Sequence, residues 1–334
     1  KTIQDEDIQK NLAAMIDDVR RDDKIHVHLN SKIVNVNGFV GNFETMIEAS
    51  DKGQETIKHG VAILATGGAP LQTEEYGLGR DDRIVSTFGL DKKLMAHDPS
   101  LKTIGTAAFI QCVGSREPNR PYCSRVCCTH SIHNALELKK INPDMDVYIL
   151  YRDIRTYGER EYLYKAARKA GVIFIRYSLE NKPQVTAGDK IRIRVTDHVL
   201  GLPVEIEADL LTLATAIVPS DNEKLAGFFK VPLNDDGLFV EKHAKLGPSE
   251  FATDGVYLCG LAHYPKPIDE SIAQSKAAAS RAVTLLSQKV IYTSGTVAEV
   301  NPANCSACGV CVSLCPYSAP SFIPADARFF AGKA

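Results

Sequence analysis

Four cysteines, Cys112, Cys123, Cys127 and Cys128, fall within the single stretch Phe109 to Asn134, FIQCVGSREPNRPYCSRVCCTHSIHN, and constrain this chain more than any other feature. Ahead of them the apolar and β-branched run from Ile104 to Ile110 predicts a buried strand. The loop holds Gly114, Pro118 and Pro121 without apolar periodicity, whereas Ile132, Ala135 and Leu136 past Cys127 share one face of a helix. The unit reads as strand, long cysteine loop, helix. A dinucleotide-binding βαβ unit has the same outline, but joins strand to helix by a short glycine turn that lets pyrophosphate approach the helix N-terminus. Here that turn is replaced, and no G-x-G-x-x-G follows the strand, so NAD(P) binding is not expected in this module.

Nine cysteines, an odd number in tight clusters, fit metal or cluster ligation better than a disulfide framework, and a reducing cytoplasm is the expected setting. Four thiolates near one point suit an iron–sulfur cubane; structural zinc and free buried thiols are the alternatives. A second group, Cys305-x2-Cys308-x2-Cys311-x3-Cys315-Pro316, has the bacterial ferredoxin spacing, in which three thiolates bind one cubane and the fourth reaches another. A zinc ribbon would place a longer interval between two C-x-x-C pairs. A formal charge of −2 gives no electrostatic case for nucleic acid or an anionic membrane, and no uncharged apolar run is long enough to span a bilayer.

Along the chain, Asp7 to Arg20 carries Ile8, Leu12, Met15, Ile16 and Val19 at helical spacing. Ile25, Val27 and Leu29 alternate as in a strand. Ile33 to Val36, Glu44 to Ser50 and Gln54 to Lys58, with a turn at Asp51-Lys52-Gly53, complete a β-meander. Val61 to Gly68 is an apolar strand ending in Ala-Thr-Gly, of the kind expected in a parallel sheet covered on both faces. Past the cysteine loop, Asp146 to Tyr151 and Val172 to Tyr177 read as strands around a helix at Glu161 to Ala170 that Gly171 stops. Ile191 to Val195 and Val204 to Ala208 form a hairpin, and Leu210 to Ala214 is another apolar strand. An alanine-rich helix follows Pro267, with Asp269 as its expected N-cap.

The Ala-Thr-Gly strand and Thr253-Asp254-Gly255-Val256-Tyr257-Leu258-Cys259-Gly260 resemble, in order and separation, the two FAD-domain segments of flavoproteins with two dinucleotide-binding domains. Adding QCVGSR, PYCSRVCC, PKPIDESIAQSKAAA and the ferredoxin motif, essentially the whole chain resembles the flavin and iron–sulfur A subunits of heterodisulfide reductases. The resemblance implies an α/β flavoprotein of thioredoxin reductase-like class, with an FAD domain over residues 1–98 and 219–290. A nucleotide-domain-like module carrying the cysteine loop would occupy 99–218, and a ferredoxin-like segment 297–334. It implies FAD near Ala65, Thr66, Gly67, Gly260, Ser271, Ile272 and Ala273, with a [4Fe–4S] cluster on Cys112, Cys123, Cys127 and Cys128 close to the flavin. Further cluster ligands would be Cys305, Cys308, Cys311 and Cys315.

His133 stands where bifurcating members tend to have Lys, and is expected near the flavin with only a conditional charge. Leu261 replaces the Asp that many relatives carry after the motif glycine. Because neither a glycine fingerprint nor a second ferredoxin motif is present, the chain is expected to be part of a larger protein. The family implies partner subunits of the heterodisulfide reductase type, a hydrogenase or formate dehydrogenase donor, and ferredoxin. A pyridine-nucleotide-dependent disulfide reductase, a flavin-free iron–sulfur carrier and the flavin component of a quinone-interacting oxidoreductase are the alternatives.

Overall fold

The computed structural model describes residues 7–50, 53–292, 298–315, 317 and 319–322. The chain divides into two compact units, one of residues 1–67, 219–264 and 268–334, the other of 68–218 and 265–267. The sequence assigns residues 68–98 to the FAD domain. They fall instead in the second unit, because Ile84–Ser86 pairs in its sheet.

In the first unit, α1 (Ile8–Arg21) is capped by Asp7, whose carboxylate accepts from the N–H groups of Gln9 and Lys10. Strands β1 (Ser31–Asn37), β2 (Phe43–Ala49) and β3 (Gly53–His59) form the expected antiparallel meander; Asp51 and Lys52 of its turn lie outside the described residues. The alternating segment before it is no strand. Ile25, Val27 and Leu29 are exposed, since alternation makes a strand only where a neighbouring edge accepts its backbone groups.

Strand β4 (Ala62–Leu64) is shorter than expected and, among the described residues, pairs in parallel only with β15 (Val256–Leu258). Ile63 is 42% exposed, so β4 is not covered on both faces. Behind this pair lies α6 (Ile268–Leu286), where Ala278 and Ala282 pack on Tyr257 and Cys259. Side chains this small allow close approach of helix and sheet. Asp269 sits inside the first turn of α6 instead of capping it, because the helix already begins at Ile268. Helix α5 (Glu223–Phe229) contributes Phe229 to a core with Phe43, Phe239 and Phe251.

The second unit is organised on a five-stranded, wholly parallel sheet in the order β6-β13-β7-β8-β9: Ile84–Ser86, Leu210–Thr215, Thr106–Val113, Asp146–Tyr151 and Ile173–Arg176. Alternation along β7 sends Phe109 to one face and Ile110 to the other. Phe109 packs with Ile132, Ala135 and Leu138 of α3 (Cys127–Ile141) and with Leu90 of α2 (Thr87–Met95). Ile110 packs with Ile191, Ile193, Val195 and Ile206 of a three-stranded antiparallel sheet, β10 (Gln184–Ala187), β11 (Ile191–Thr196) and β12 (Pro203–Ala208). The first of these three strands adds to the expected hairpin. Helix α4 (Glu161–Lys169) ends as expected at Gly171, φ +83°. A short two-stranded exit, β5 (Gly68–Pro70) with β14 (Ile217–Pro219), completes the unit.

Candidate metal centre and cofactor site

The end of β7 and the start of α3 bring the four loop cysteines together, all buried. Cys112, the penultimate residue of β7, lies at φ +61°, followed by left-handed Gly114 and Arg116, with Arg125 the same further on. For side chains other than glycine this region costs about 1–2 kcal/mol per residue, and such strain gathers at functional loops. Gly114, at φ +66°, adopts this backbone without a Cβ to strain it.

A dense polar frame holds the strained loop. Arg116 N–H and Ser115 Oγ donate to Tyr122 O at 3.1 and 2.9 Å, and Arg120 Nη1 donates to Gly114 O at 2.7 Å. Ile217 of β14 is gripped twice: its carbonyl accepts from Tyr122 Oη at 2.7 Å, and its N–H donates to Ser124 Oγ at 2.9 Å. Neither Ile217 nor the residues after β8 carry any local sequence signal of this role.

Cys127 and Cys128 are the first two residues of α3, and no side chain caps that helix. An uncapped helix N-terminus favours an anion near its first turn. Arg125 N–H donates to Cys123 Sγ at 3.3 Å, and Cys128 Sγ donates to Asp153 O at 3.6 Å. Arg116 Nη1 stands 4.0 Å from Cys112 Sγ while Nη2 pairs with Asp153 at 2.5 Å.

Cys127 hydrogen-bonds Cys128, and this raises its own pKa well above the usual range while lowering that of Cys128 to about 7; burial and the charges on Cys112 and Cys123 push Cys127 further up. Burial, then Cys128, raises Cys112, opposed by Arg152 and Arg116. Four mutually sensed thiols ringed by N–H donors and guanidinium groups suit an anionic cluster. No three His, Cys, Asp or Glu side chains among the described residues are placed to hold one metal ion.

In the ferredoxin-type segment, Cys305 and Cys315 are half-buried and Cys308 and Cys311 exposed, around the short α7 (Val310–Leu314). Ala307 N–H donates to Cys305 Sγ at 3.4 Å with Ala307 at φ +55°. Cys123-Ser124-Arg125 makes the same turn as Cys305-Ser306-Ala307, a left-handed third residue giving its N–H to the cysteine sulfur. Pro316 lies outside the described residues.

Of the expected flavin residues, Ala65, Thr66 and Gly67 follow β4 and Gly260 follows β15, whose Leu64 and Leu258 are in register, while Ser271, Ile272 and Ala273 lie in the first turns of α6. Ala65, Thr66, Ile272 and Ala273 are exposed and Gly67, Gly260 and Ser271 half-buried. Gly67 and Gly260, at φ +75° and +71°, have open space where a Cβ would lie. Glycines with room before them at the ends of parallel strands fit a nucleotide cofactor.

Two residues without a motif signal brace this edge. Asn222, 2% exposed, accepts from Thr66 Oγ1 at 2.8 Å and donates to Gly237 O at 3.1 Å. Gln274 accepts from Gly260 N at 3.0 Å and donates to Pro248 O at 2.9 Å and His263 Nδ1 at 2.8 Å; His263 Nε2 faces Glu241 at 2.8 Å. Because Nδ1 accepts, Nε2 carries the proton. Gln274→Leu leaves the Gly260 N–H without its acceptor, and is expected to lower stability by on the order of 1 kcal/mol and to weaken FAD retention, measured by thermal denaturation and flavin fluorescence. Unchanged values for both would remove the bracing role.

Cys259 packs with Tyr257, Ala278 and Ala282 as a small buried residue, as expected. His133 is half-buried on α3 and burial lowers its pKa, so the imidazole is neutral at neutral pH.

The parallel module and the glycine-ended β4–β15 pair together define an α/β protein of the thioredoxin reductase-like type. The fold superposes on T. acidophilum thioredoxin reductase with a TM-score of 0.55 at 15% identity, covering 84% of this chain and 81% of that one. Residues 298–321 match the 4Fe-4S binding domain family. The chain is similar in sequence to several heterodisulfide reductase A subunits. It is 36% identical over 297 residues to the iron–sulfur A subunit of the CoB–CoM heterodisulfide reductase of Methanocaldococcus jannaschii, covering 82% of this chain and 44% of the relative. To the corresponding A subunit numbered 2 of Methanopyrus kandleri it is 35% identical over 273 residues, covering 78% and 42%. To the A subunit of the H(2)/formate:CoB-CoM heterodisulfide,ferredoxin reductase of Methanococcus maripaludis it is 34% identical over 303 residues, covering 85% and 46%. The chain thus spans less than half the length of these relatives. No described helix is long and apolar enough to cross a membrane.

Proposed function

We propose that this chain is the flavin and iron–sulfur part of a heterodisulfide reductase-type A subunit, passing electrons between FAD and [4Fe–4S] clusters. The observation that carries this reading is the replacement of the nucleotide turn between β7 and α3 by four buried cysteines beneath an uncapped helix end. Cys112, Cys123, Cys127 and Cys128 hold one cluster, and Cys305, Cys308 and Cys311 hold another; Cys315 serves that cluster or a further one. Ala65, Thr66, Gly67, Gly260, Ser271, Ile272 and Ala273 line the FAD site, which the open glycines and the exposed Ile272 support. When bound, FAD supplies the exchange between two-electron and one-electron chemistry that a cluster alone lacks.

The partners in this reading are subunits that reduce a disulfide, a hydrogenase or formate dehydrogenase donor, and ferredoxin, in a cytoplasmic complex. Flavin-based bifurcation is its finest claim. His133 enters as a neutral helix residue rather than a standing cation, which gives bifurcation no support from this position. A pyridine-nucleotide disulfide reductase would need a redox C-x-x-C beside the flavin, and the C-x-x-C pairs here belong to the ferredoxin motif. A visible spectrum with iron and flavin assays tests the reading: a flavin band that persists after cluster removal supports it, and protein free of flavin as isolated would favour the iron–sulfur carrier instead.

The occupied turn also excludes a pyrophosphate from its usual place at the head of α3. NADH and NADPH are each expected to give no saturable heat in calorimetry against this chain. A micromolar isotherm would contradict the assignment of the loop.

A further inference from the structure

Arg152, the residue after β8, is 8% exposed. Its guanidinium donates through Nη1 to Arg116 O at 2.8 Å and through Nη2 to Ser115 O, both carbonyls of the cysteine loop, while Nε reaches no partner. Neither acceptor is charged, and Arg152 forms no ion pair among the described residues. Its neighbour Arg116 differs, being bound to Asp153. Of the carboxylates that could compensate Arg152, Glu117 is bound by Lys182 at 2.5 Å and Asp153 by Arg116, with Arg155 and Arg176 also in reach. Glu180 is fully exposed to solvent. Tyr76 and Tyr177, which sense the same charge, have pKa values raised mainly by burial and stay neutral.

A buried cation with only neutral partners is costly, and native structures keep one where an anion shares the site. The Ser115 and Arg116 carbonyls that Arg152 holds belong to the loop that follows Cys112, and Arg116 Nη1 stands 4.0 Å from Cys112 Sγ. Four thiolates around a cubane carry a net negative charge, and one-electron reduction adds to it. We propose that Arg152 is the built-in counter-charge of the cysteine loop, gripping it by the Ser115 and Arg116 carbonyls and raising the potential at which a cubane on Cys112, Cys123, Cys127 and Cys128 accepts an electron. The inference rests on the cluster reading above and adds a potential-setting role to a residue outside the cysteine motif.

The test compares the full chain with Arg152→Gln, which keeps a hydrogen-bond donor without charge, and Arg152→Lys, which keeps charge without the fork. Redox titration followed by electron paramagnetic resonance reads the loop and tail clusters separately. The Gln variant makes the loop cluster at least tenfold harder to reduce, about 59 mV for one electron, the Lys variant less than threefold, and the tail cluster does not move. Gln and Lys potentials equal to each other within error mean that the residue only clamps the loop, and overturn the inference while the cluster reading stands. An iron count showing the wild-type loop empty overturns both. Should neither variant retain the cluster, melting of the cluster-free chains decides. Removing an uncompensated buried charge makes the Gln variant melt above wild type; melting below it, as loss of a clamp requires, overturns the inference.

Discussion

Cys127→Ala and Cys128→Ala are each expected to remove about four irons per chain, because a cubane held by four thiolates is lost as a unit. Both residues sit in the first turn of α3, buried against Ala214 and each other. The ferredoxin-type segment draws on none of these residues, so its iron and its resonance signal should persist. Cys259→Ala is the control: that thiol is packed against Ala278 and Ala282, and its loss should leave iron unchanged. Iron and acid-labile sulfide assays on anaerobically purified protein make the measurement. Iron content equal to wild type in both variants would rule the loop out as a cluster site.

Phe109→Ala is expected to cost about 3–5 kcal/mol, the usual range for emptying an aromatic site in a closed core. Phe109 is fully buried in the central part of β7, its neighbours in register being Thr212 of β13 and Ile149 of β8, and its ring lies under Ile132 and Ala135 of α3. The cavity would therefore open where strand and helix jointly position Cys112, Cys127 and Cys128. Loss of stability should appear in the urea midpoint, and cluster loading should fall with it. A stability within about 1 kcal/mol of wild type, on the same scale, would mean that the core collapses onto the cavity and that β7 and α3 do not depend on this ring.

Local chemistry was legible wherever neighbours in sequence settle it. Asp7 caps α1, Gly171 ends α4, and the spacing past Cys127 makes α3, since caps and helical faces need only a few adjacent residues. Readings failed where a partner had to be found. Ile25, Val27 and Leu29 alternate as a strand does but meet no edge, and Ile63 looks like core yet stays 42% exposed because β4 pairs only with β15 among the described residues. The boundary at residue 68 followed from Ile84–Ser86 joining β13, a pairing across more than a hundred residues that composition does not encode.

At the candidate site the division is the same. Cysteine identity and spacing, read alone, pointed to thiolate ligation in two places and to the lack of a glycine turn before α3, because ligand number and softness are properties of residue type. What surrounds those thiols was decided by tertiary structure alone: Arg152 arriving from β8, Ile217 gripped from β14, Asn222 and Gln274 bracing the glycine ends of β4 and β15. Each is distant in sequence from the group it serves. An arginine reads as a solvated surface charge until the fold buries it without a carboxylate, and burial is a property of the packed chain, not of the residue.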